Sequence, residues 1–350
     1  MLPYLFVAIW PLIMMRFYHK TRIENQNRPS LMMLICTALP MFLLIAFRNE
    51  LIGADTLIYN KHFVESLGKT VHEMSEVTRM ETGYLVFVRL VGSITSSPQI
   101  YQLICSCIYM IGFLSFAKNL RGTDAFLFFY FVCTLGLFLF FFTGVRQCIA
   151  ISICLFSYQY ILKKKYLWVL LLLLLAYTFH KSSILFTCAL FISNKNLKWY
   201  NYMAYMILVL LIGKYLLEIQ MWFNESLDYS YEIENVGGGH EFLFLLILMT
   251  YISYLMINKN ENNNYATSLF NINILTLVFW ILRLQTRVAE RPSFYFLAFS
   301  CALFAFSLNK LPKGSLSMLY KYSIILIAFL LYVYRLATNF SSFIPYSSFL

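Results

Sequence analysis

In "FFTGVRQCIA", Arg146 and Gln147 follow a Thr143–Gly144 step that separates two strongly apolar runs. The break makes Arg146 part of the first turn of the next helix. A helix N-terminus offers unpaired N–H groups and a positive dipole end, so an arginine there completes a site for an anion. An arginine that merely marks the membrane interface would do without a neutral donor and acceptor such as Gln147 beside it. Four further stretches combine residue types that do chemistry. "FRNELIGADTLIY" carries Arg48, Asp55 and Tyr59; "METGYLVFVRL" carries Glu81 and Arg89. "YTFHKSSILF" carries His180 and Lys181, and "LRLQTRVAERPSFYF" carries Arg283, Arg287, Glu290 and Arg291.

Each stretch has a chemical reading and a structural one. Asp55 and Tyr59 could face a sugar, a carboxylate for its hydroxyls and a ring for its C–H surface; alternatively Asp55–Thr56 is an N-cap that sets Tyr59 one turn on. Glu81 is either a charge favoured at a helix N-terminus or, with Arg89, the mouth of a cavity with a base in it. Histidine is the side chain type suited to proton transfer near neutral pH, so His180 could take a proton or donate to a diphosphate, with Ser182 or Ser183 capping the helix that follows. Arg283, Arg287 and Arg291 recur every four residues, which on one continued helix makes a basic stripe with Glu290 orienting Arg287. Pro292 argues against continuation past 291. The stripe is either a solvated salt-bridged face or a binding surface for something anionic.

The elements that must position these groups are membrane helices. The 350 residues are 60% hydrophobic and 12% charged, too few polar groups to cover a soluble core. Apolar runs of about 15–20 residues alternate with short polar breaks. Spans are expected near 2–18, 31–47, 98–117, 125–142, 146–162, 166–179, 182–193, 202–219, 241–257, 267–284, 294–308 and 322–338. Residues 82–96, short, Gly-interrupted and holding Arg89, are expected to lie along the interface or re-enter. The fold class is therefore all-α polytopic, about twelve transmembrane helices plus that one, in a single membrane domain over 1–350. The first span, its charges following the apolar run, reads as retained and not as a cleaved leader.

Short inner loops collect Lys and Arg. With 82–96 not crossing, both ends lie outside, and "KKK" at 163–165 lies inside. Eleven lysines and four arginines then fall inside, four lysines and eight arginines outside. Orientation alone explains the lysines. The outer arginines suit a shared anionic ligand, because a planar fork binds phosphate bidentately. The 48–97 segment becomes an outer segment, and 220–240 an outer loop with "VGGGHEF" as a hinge or lid. A single long helix through His180 would invert this order downstream, which the loop charges disfavour.

Several classes are excluded. "VGGGHEF" lacks the strand and Gly-Lys-Ser/Thr ending of a phosphate loop, and no nucleotide, zinc-protease or Ser-hydrolase fingerprint occurs. The net charge of +11 is accounted for by loop orientation, without nucleic acid. The eight cysteines fall in apolar segments without C-x-x-C spacing or a nearby His, so they read as small buried hydrophobes and not as metal ligands.

The ordered set "R-x4-GADT-x2-Y", "E-x-GY", "TGVRQ-x2-A", "HKSSILF" and "RVAERPSFY", over about residues 45 to 300, resembles the EpsG-type branch of the Wzy-like bacterial polysaccharide polymerases. Either Arg287 or Arg291 matches the late arginine of that pattern. The resemblance implies a GT-C-like inner-membrane glycosyltransferase. It would join oligosaccharide repeat units carried on undecaprenyl diphosphate, at the periplasmic face, without nucleotide sugar, cofactor or metal. The bilayer and the lipid-linked oligosaccharide are then its partners, with a chain-length regulator implied by the family. On this reading Arg146, Arg287 and Arg291, with Lys181, hold the diphosphate, and Arg48, Tyr59, Gln147 and Arg283 complete the binding set. His180 handles a proton or the diphosphate, Asp55 or Glu81 serves as the acceptor-side base, and transfer proceeds with inversion. A polymer ligase shares this donor chemistry. A flippase for the lipid-linked oligosaccharide would spread its arginines through the bilayer depth and show repeat symmetry.

Overall fold

The computed structural model describes residues 1–21, 28–193, 195, 197–215, 218, 239–258, 264–338 and 343–349. Every regular element among them is helical; the one β-type pairing is an isolated bridge between Arg48 and Ser348. The helices are α1 (Leu2–Thr21), α2 (Leu31–Ala46), α3 (Thr56–Glu65), α4 (Val71–Val77), α5 (Thr82–Gly92), α6 (Pro98–Ala117), α7 (Asp124–Thr134) and α8 (Leu137–Phe140). They continue as α9 (Val145–Leu162), α10 (Tyr166–Phe179), α11 (Thr187–Ile192), α12 (Trp199–Lys214), α13 (His240–Asn258), α14 (Asn264–Arg283), α15 (Glu290–Lys310) and α16 (Ser315–Thr338), with 3-10 turns at Lys181–Phe186 and Arg287–Ala289.

Six of these, α6, α9 and α13 to α16, are long and apolar enough to cross a membrane. The chain is thus an all-helical protein with several membrane-length helices, where about twelve crossings are expected from the sequence. Shorter apolar helices occupy Leu31–Ala46, Thr82–Gly92, Asp124–Thr134, Tyr166–Phe179 and Lys181–Ile192. Breaks inside apolar runs make them short. The expected span 125–142 is interrupted at Gly136, whose φ of +96° is a left-handed conformation that other residues adopt at a cost. The carbonyl of Leu135, released by that break, accepts a 2.7 Å hydrogen bond from Arg335 Nη1 on α16. A lone backbone group in an apolar setting is costly, so a cation recruited from another helix is what makes the break tolerable. The helix expected over 82–96 ends at Gly92, with Ser93 as its C-cap.

The chain forms two compact units, Met1–Ile184 with Leu311–Leu350 and Leu185–Lys310, where the sequence reads as a single domain. In the first, helices α6, α7 and α9 enclose an aromatic core. Phe113 meets Phe141 edge-on at 5.0 Å and Phe116 meets Tyr158 at 5.3 Å. The segment 346–349 returns to the end of α2, with Asn49 N donating to Ser347 O (2.9 Å), Phe349 N to Phe47 O (3.3 Å) and Tyr346 Oη to Leu44 O (3.2 Å). In the second unit, α15 is buried along nearly its whole length, and α13, α14 and α15 are joined by a buried polar seam. Asn273 Nδ2 donates to Thr250 Oγ1, and Ser300 and Ser307 donate to Thr276 and Ser253, each at 2.8 Å. Such interhelical bonds contribute roughly 0.6 kcal/mol each in a membrane protein.

Two of the eight cysteines depart from the buried-hydrophobe expectation: Cys107 and Cys188 are exposed on their helices, and all eight are free thiols. The expected lid at 220–240 lies outside the described residues except for 239 and 240, and of the expected loop at 258–265 the described residues 258, 264 and 265 belong to the flanking helices α13 and α14.

Candidate active site

The chain from Arg48 to Thr56 is a docking loop. Arg48 is 2% exposed and spends its guanidinium internally, Nη1 donating to Ile45 O (2.6 Å) and Nε to Thr56 Oγ1 (3.0 Å). The Thr56 hydroxyl reaches both Ile52 O (2.7 Å) and Phe142 O (3.1 Å). Gly53, at φ +90°, lies so near the same Phe142 carbonyl that a Cβ there would fall 2.1 Å from it. The Gly-Ala-Asp-Thr run therefore seats the start of α3 on the turn that precedes Arg146. Asp55 occupies the N-cap position of α3, yet its side chain makes no capping bond, contrary to the N-cap reading. Its backbone is αR, and the cap geometry that aims a carboxylate at the N2 or N3 amide needs an extended residue.

One turn on, Tyr59 is buried and its hydroxyl accepts from Arg146 Nε at 3.2 Å. Burial raises the phenol's pKa, and the negative groups of Asp55 and Glu81 add to that against the opposing effect of Arg146, so the hydroxyl stays protonated. Tyr59 packs edge-on against Tyr84 at 5.9 Å, and Tyr84 shares a 2.9 Å hydrogen bond with Tyr101.

Glu81 is the hub. It stands at the N-cap position of α5 with no capping bond, because its carboxylate turns to other partners. Oε2 accepts from Arg146 Nη1, and Oε1 lies 3.2 Å from His180 Nδ1 and accepts from the Lys181 backbone N at 3.3 Å. The Glu81 side chain is 6% exposed, against 24% for Arg146 and 17% for His180. Burial alone would raise its carboxyl; the hydrogen bond with His180 and the charge of Arg146 outweigh it and hold the pKa at about 2. At neutral pH Glu81 is therefore an acceptor only, and His180 Nδ1 carries the proton it shares.

His180 is presented by a break in the chain. Its backbone is extended (φ −158°, ψ 115°), ending α10, and the 3-10 turn Lys181–Phe186 follows. The alternative of one long helix through His180 is thereby ruled out. The expected serine cap is also absent: α11 begins at Thr187 with Phe186 as N-cap. Ser183 is fully buried, and the Lys181 side chain is exposed. Gln147, expected to stand at the ligand beside Arg146, is buried at 3% exposure in the first turn of α9. Arg89 is exposed in the last turn of α5, eight residues from Glu81 and so about 12 Å along the helix; the two do not share a cavity mouth.

The late arginines are organised differently from the expected stripe. The helix α14 ends at Arg283, a turn intervenes, and α15 restarts at Glu290 with Pro292 tolerated in its first turn. Glu290 pairs with Arg283 (Nε···Oε2 2.8 Å) and not with Arg287 as expected, because the turn folds it back on the helix before it. Arg283 also lies over the Trp280 ring at 5.2 Å. Arg287 and Arg291 are exposed.

Sequence reasoning passed over His62, which is 8% exposed against Tyr84, with neither ring nitrogen hydrogen-bonded and its pKa lowered by burial. Its only signal was its place one turn from Tyr59. No group of three or more potential metal-binding side chains occurs among the described residues.

A carboxylate that fixes an arginine and a histidine from two further elements is built to orient a cation and a proton carrier together. No curated protein and no solved structure matches the chain. The EpsG family model matches residues 31–348, a stretch that holds every residue of this cluster. The chain belongs to the EpsG family.

Proposed function

We propose that this chain is a membrane glycosyltransferase of polysaccharide biosynthesis that joins oligosaccharide repeat units carried on undecaprenyl diphosphate, with its site at the periplasmic face of the inner membrane. The observation that carries the reading is the Glu81 carboxylate shared between Arg146 and His180. Family membership and the membrane-length helices support it. The reading keeps the twelve-crossing, GT-C-like architecture and the outer placement of the arginines that loop charge favours.

In this mechanism Glu81 is a positioning residue. It holds the Nδ1–H of His180, which leaves Nε2 as the ring nitrogen with a lone pair. The terminal hydroxyl of the acceptor unit attacks the sugar carbon bearing the diphosphate, from the opposite face. The hydroxyl proton passes to His180 Nε2, and the C–O bond to the diphosphate breaks with its electron pair on the leaving group. Arg146, with the exposed Lys181 ammonium, stabilises the charge that develops there, and configuration inverts. Arg48 serves by seating the docking loop, and Asp55, half-buried at the head of α3, is assigned to acceptor sugar hydroxyls. Arg287 and Arg291 present exposed guanidinium groups suited to lipid phosphate.

The test is purified protein with one defined undecaprenyl-diphosphate repeat unit as both donor and acceptor. A ladder of chain lengths is expected, lost in R146A. Transfer of the intact unit to a different acceptor would assign a ligase, and movement across vesicles without new linkages a flippase.

A further inference from the structure

We infer that Gly83 is a positioning residue for the Glu81–His180 pair, the spacer that lets α5 touch the end of α10. The inference rests on the reading of His180 as proton acceptor. Gly83 lies two residues after Glu81, and Thr178 lies two residues before His180. A Cβ at Gly83 would fall 2.1 Å from Thr178 Oγ1, 2.6 Å from its Cβ and 2.8 Å from its backbone oxygen. Ordinary contact begins near 3.4 Å. The obstacle is not the loose end of a side chain: Thr178 Oγ1 is held by Leu175 O at 2.7 Å, and rotating it away leaves the Cβ and the carbonyl in place.

Any side chain at 83 must therefore drive the two helices apart at the level of the site. The bonds that cross this seam have no slack. His180 Nδ1 and Lys181 N stand 3.2 and 3.3 Å from Glu81 Oε1, already at the long end for N–H···O bonds. Arg146 comes from α9 on a long side chain and can follow the carboxylate as it withdraws. A methyl group at 83 thus uncouples the histidine from Glu81 while leaving the arginine attached. The other glycine of α5 supplies the control, since a Cβ at Gly92 meets the flexible tip of Leu67 at 3.2 Å and the Phe63 ring at an ordinary 4.0 Å.

The experiment compares wild type, G83A, G83A/T178G and G92A in detergent, by chain growth on the defined lipid-linked unit and by the Nδ1–H resonance of His180 in 15N-histidine-labelled protein. G83A is expected to lower kcat by about 10²-fold or more, the scale of a lost general base, with KM for the unit unchanged within about threefold. The carboxylate-bonded resonance disappears in G83A. T178G removes the opposing Oγ1 and Cβ and leaves only the carbonyl at 2.8 Å to give way, so the double variant recovers the resonance in part and raises kcat by about tenfold over G83A. G92A matches wild type in both readouts. The inference is overturned by a G83A protein that keeps the resonance or the wild-type kcat. It is equally overturned by a double variant that regains neither, or by G92A falling as far as G83A. A resonance that follows this pattern in a protein that makes no polymer, wild type included, upholds the spacing and removes the polymerase reading.

Discussion

Arg283 and Glu290 meet across one turn, seven residues apart, whereas Glu81 meets Arg146 across 65 residues and His180 across 99. The first pair is local: the turn between α14 and α15 brings the two side chains together, and Glu290 keeps 28% of its side-chain exposure. The second is made by tertiary structure, from the head of α5, the first turn of α9 and the break after α10, and its carboxylate keeps 6%. A local pair survives small shifts of its surroundings and contributes little. A long-range buried cluster fails as a unit, because removing one member leaves the others charged and unanswered.

The widest separation between the two comes from deleting each acid. E81A is expected to cost about 3–5 kcal/mol of stability, the usual penalty for breaking a buried pair, and to stop chain growth; thermal denaturation in detergent and the ladder assay read both. A loss below 1 kcal/mol would place Glu81 with Glu290. The same carboxylate predicts a pH window. Its pKa is depressed from 4.5 to about 2, so its contribution is complete above pH 4.5 and is lost as pH falls toward 2. That contribution is of order 3 kcal/mol. Wild type and E81Q should therefore converge in stability as pH falls through this window, and parallel curves would contradict the cluster's electrostatics.

Next in size, H180A is expected to lower chain growth by about 10²-fold or more while shifting thermal stability less than E81A does. Growth at the wild-type rate would remove the histidine from the chemistry. Smallest is E290A, expected to cost about 0–1 kcal/mol, as for a partly exposed pair. A melting-temperature loss as large as that of E81A would show that the two pairs are of one kind.

The membrane-helical class was legible because apolar runs and polar breaks record it directly, and α6, α9 and α10 fall within a residue of their expected bounds. The break at Gly136 was not, since "TLGLFLFFF" is apolar on both sides and its stabilising cation, Arg335, sits 200 residues away. The candidate groups of the first unit were legible by type: Tyr59, Glu81, Arg146 and His180 all stood out as ionisable or aromatic groups in apolar company. Their grouping was not, because sequence spacing speaks only for neighbours on one helix. For the same reason Glu290 was assigned to Arg287, a helical neighbour, when the turn gives it to Arg283. Gly83 was visible only as a letter in a motif; its meaning is a distance to Thr178 that no local pattern encodes.

The return of residues 346–349 to the end of α2 has a consequence in time. Tyr346 and Leu44 are 302 residues apart. At about 5–20 residues per second of synthesis, roughly 15–60 s separate the two. For about the second half of that interval α2, the docking loop and the segments bearing Glu81, Arg146 and His180 are already made, while the backbone groups of Phe47 and Asn49 still await their partners. The edge beside buried Arg48 closes only once residues 346–349 are made, so a chain halted before them would keep its charges in place and leave the loop that seats Tyr59 unfastened.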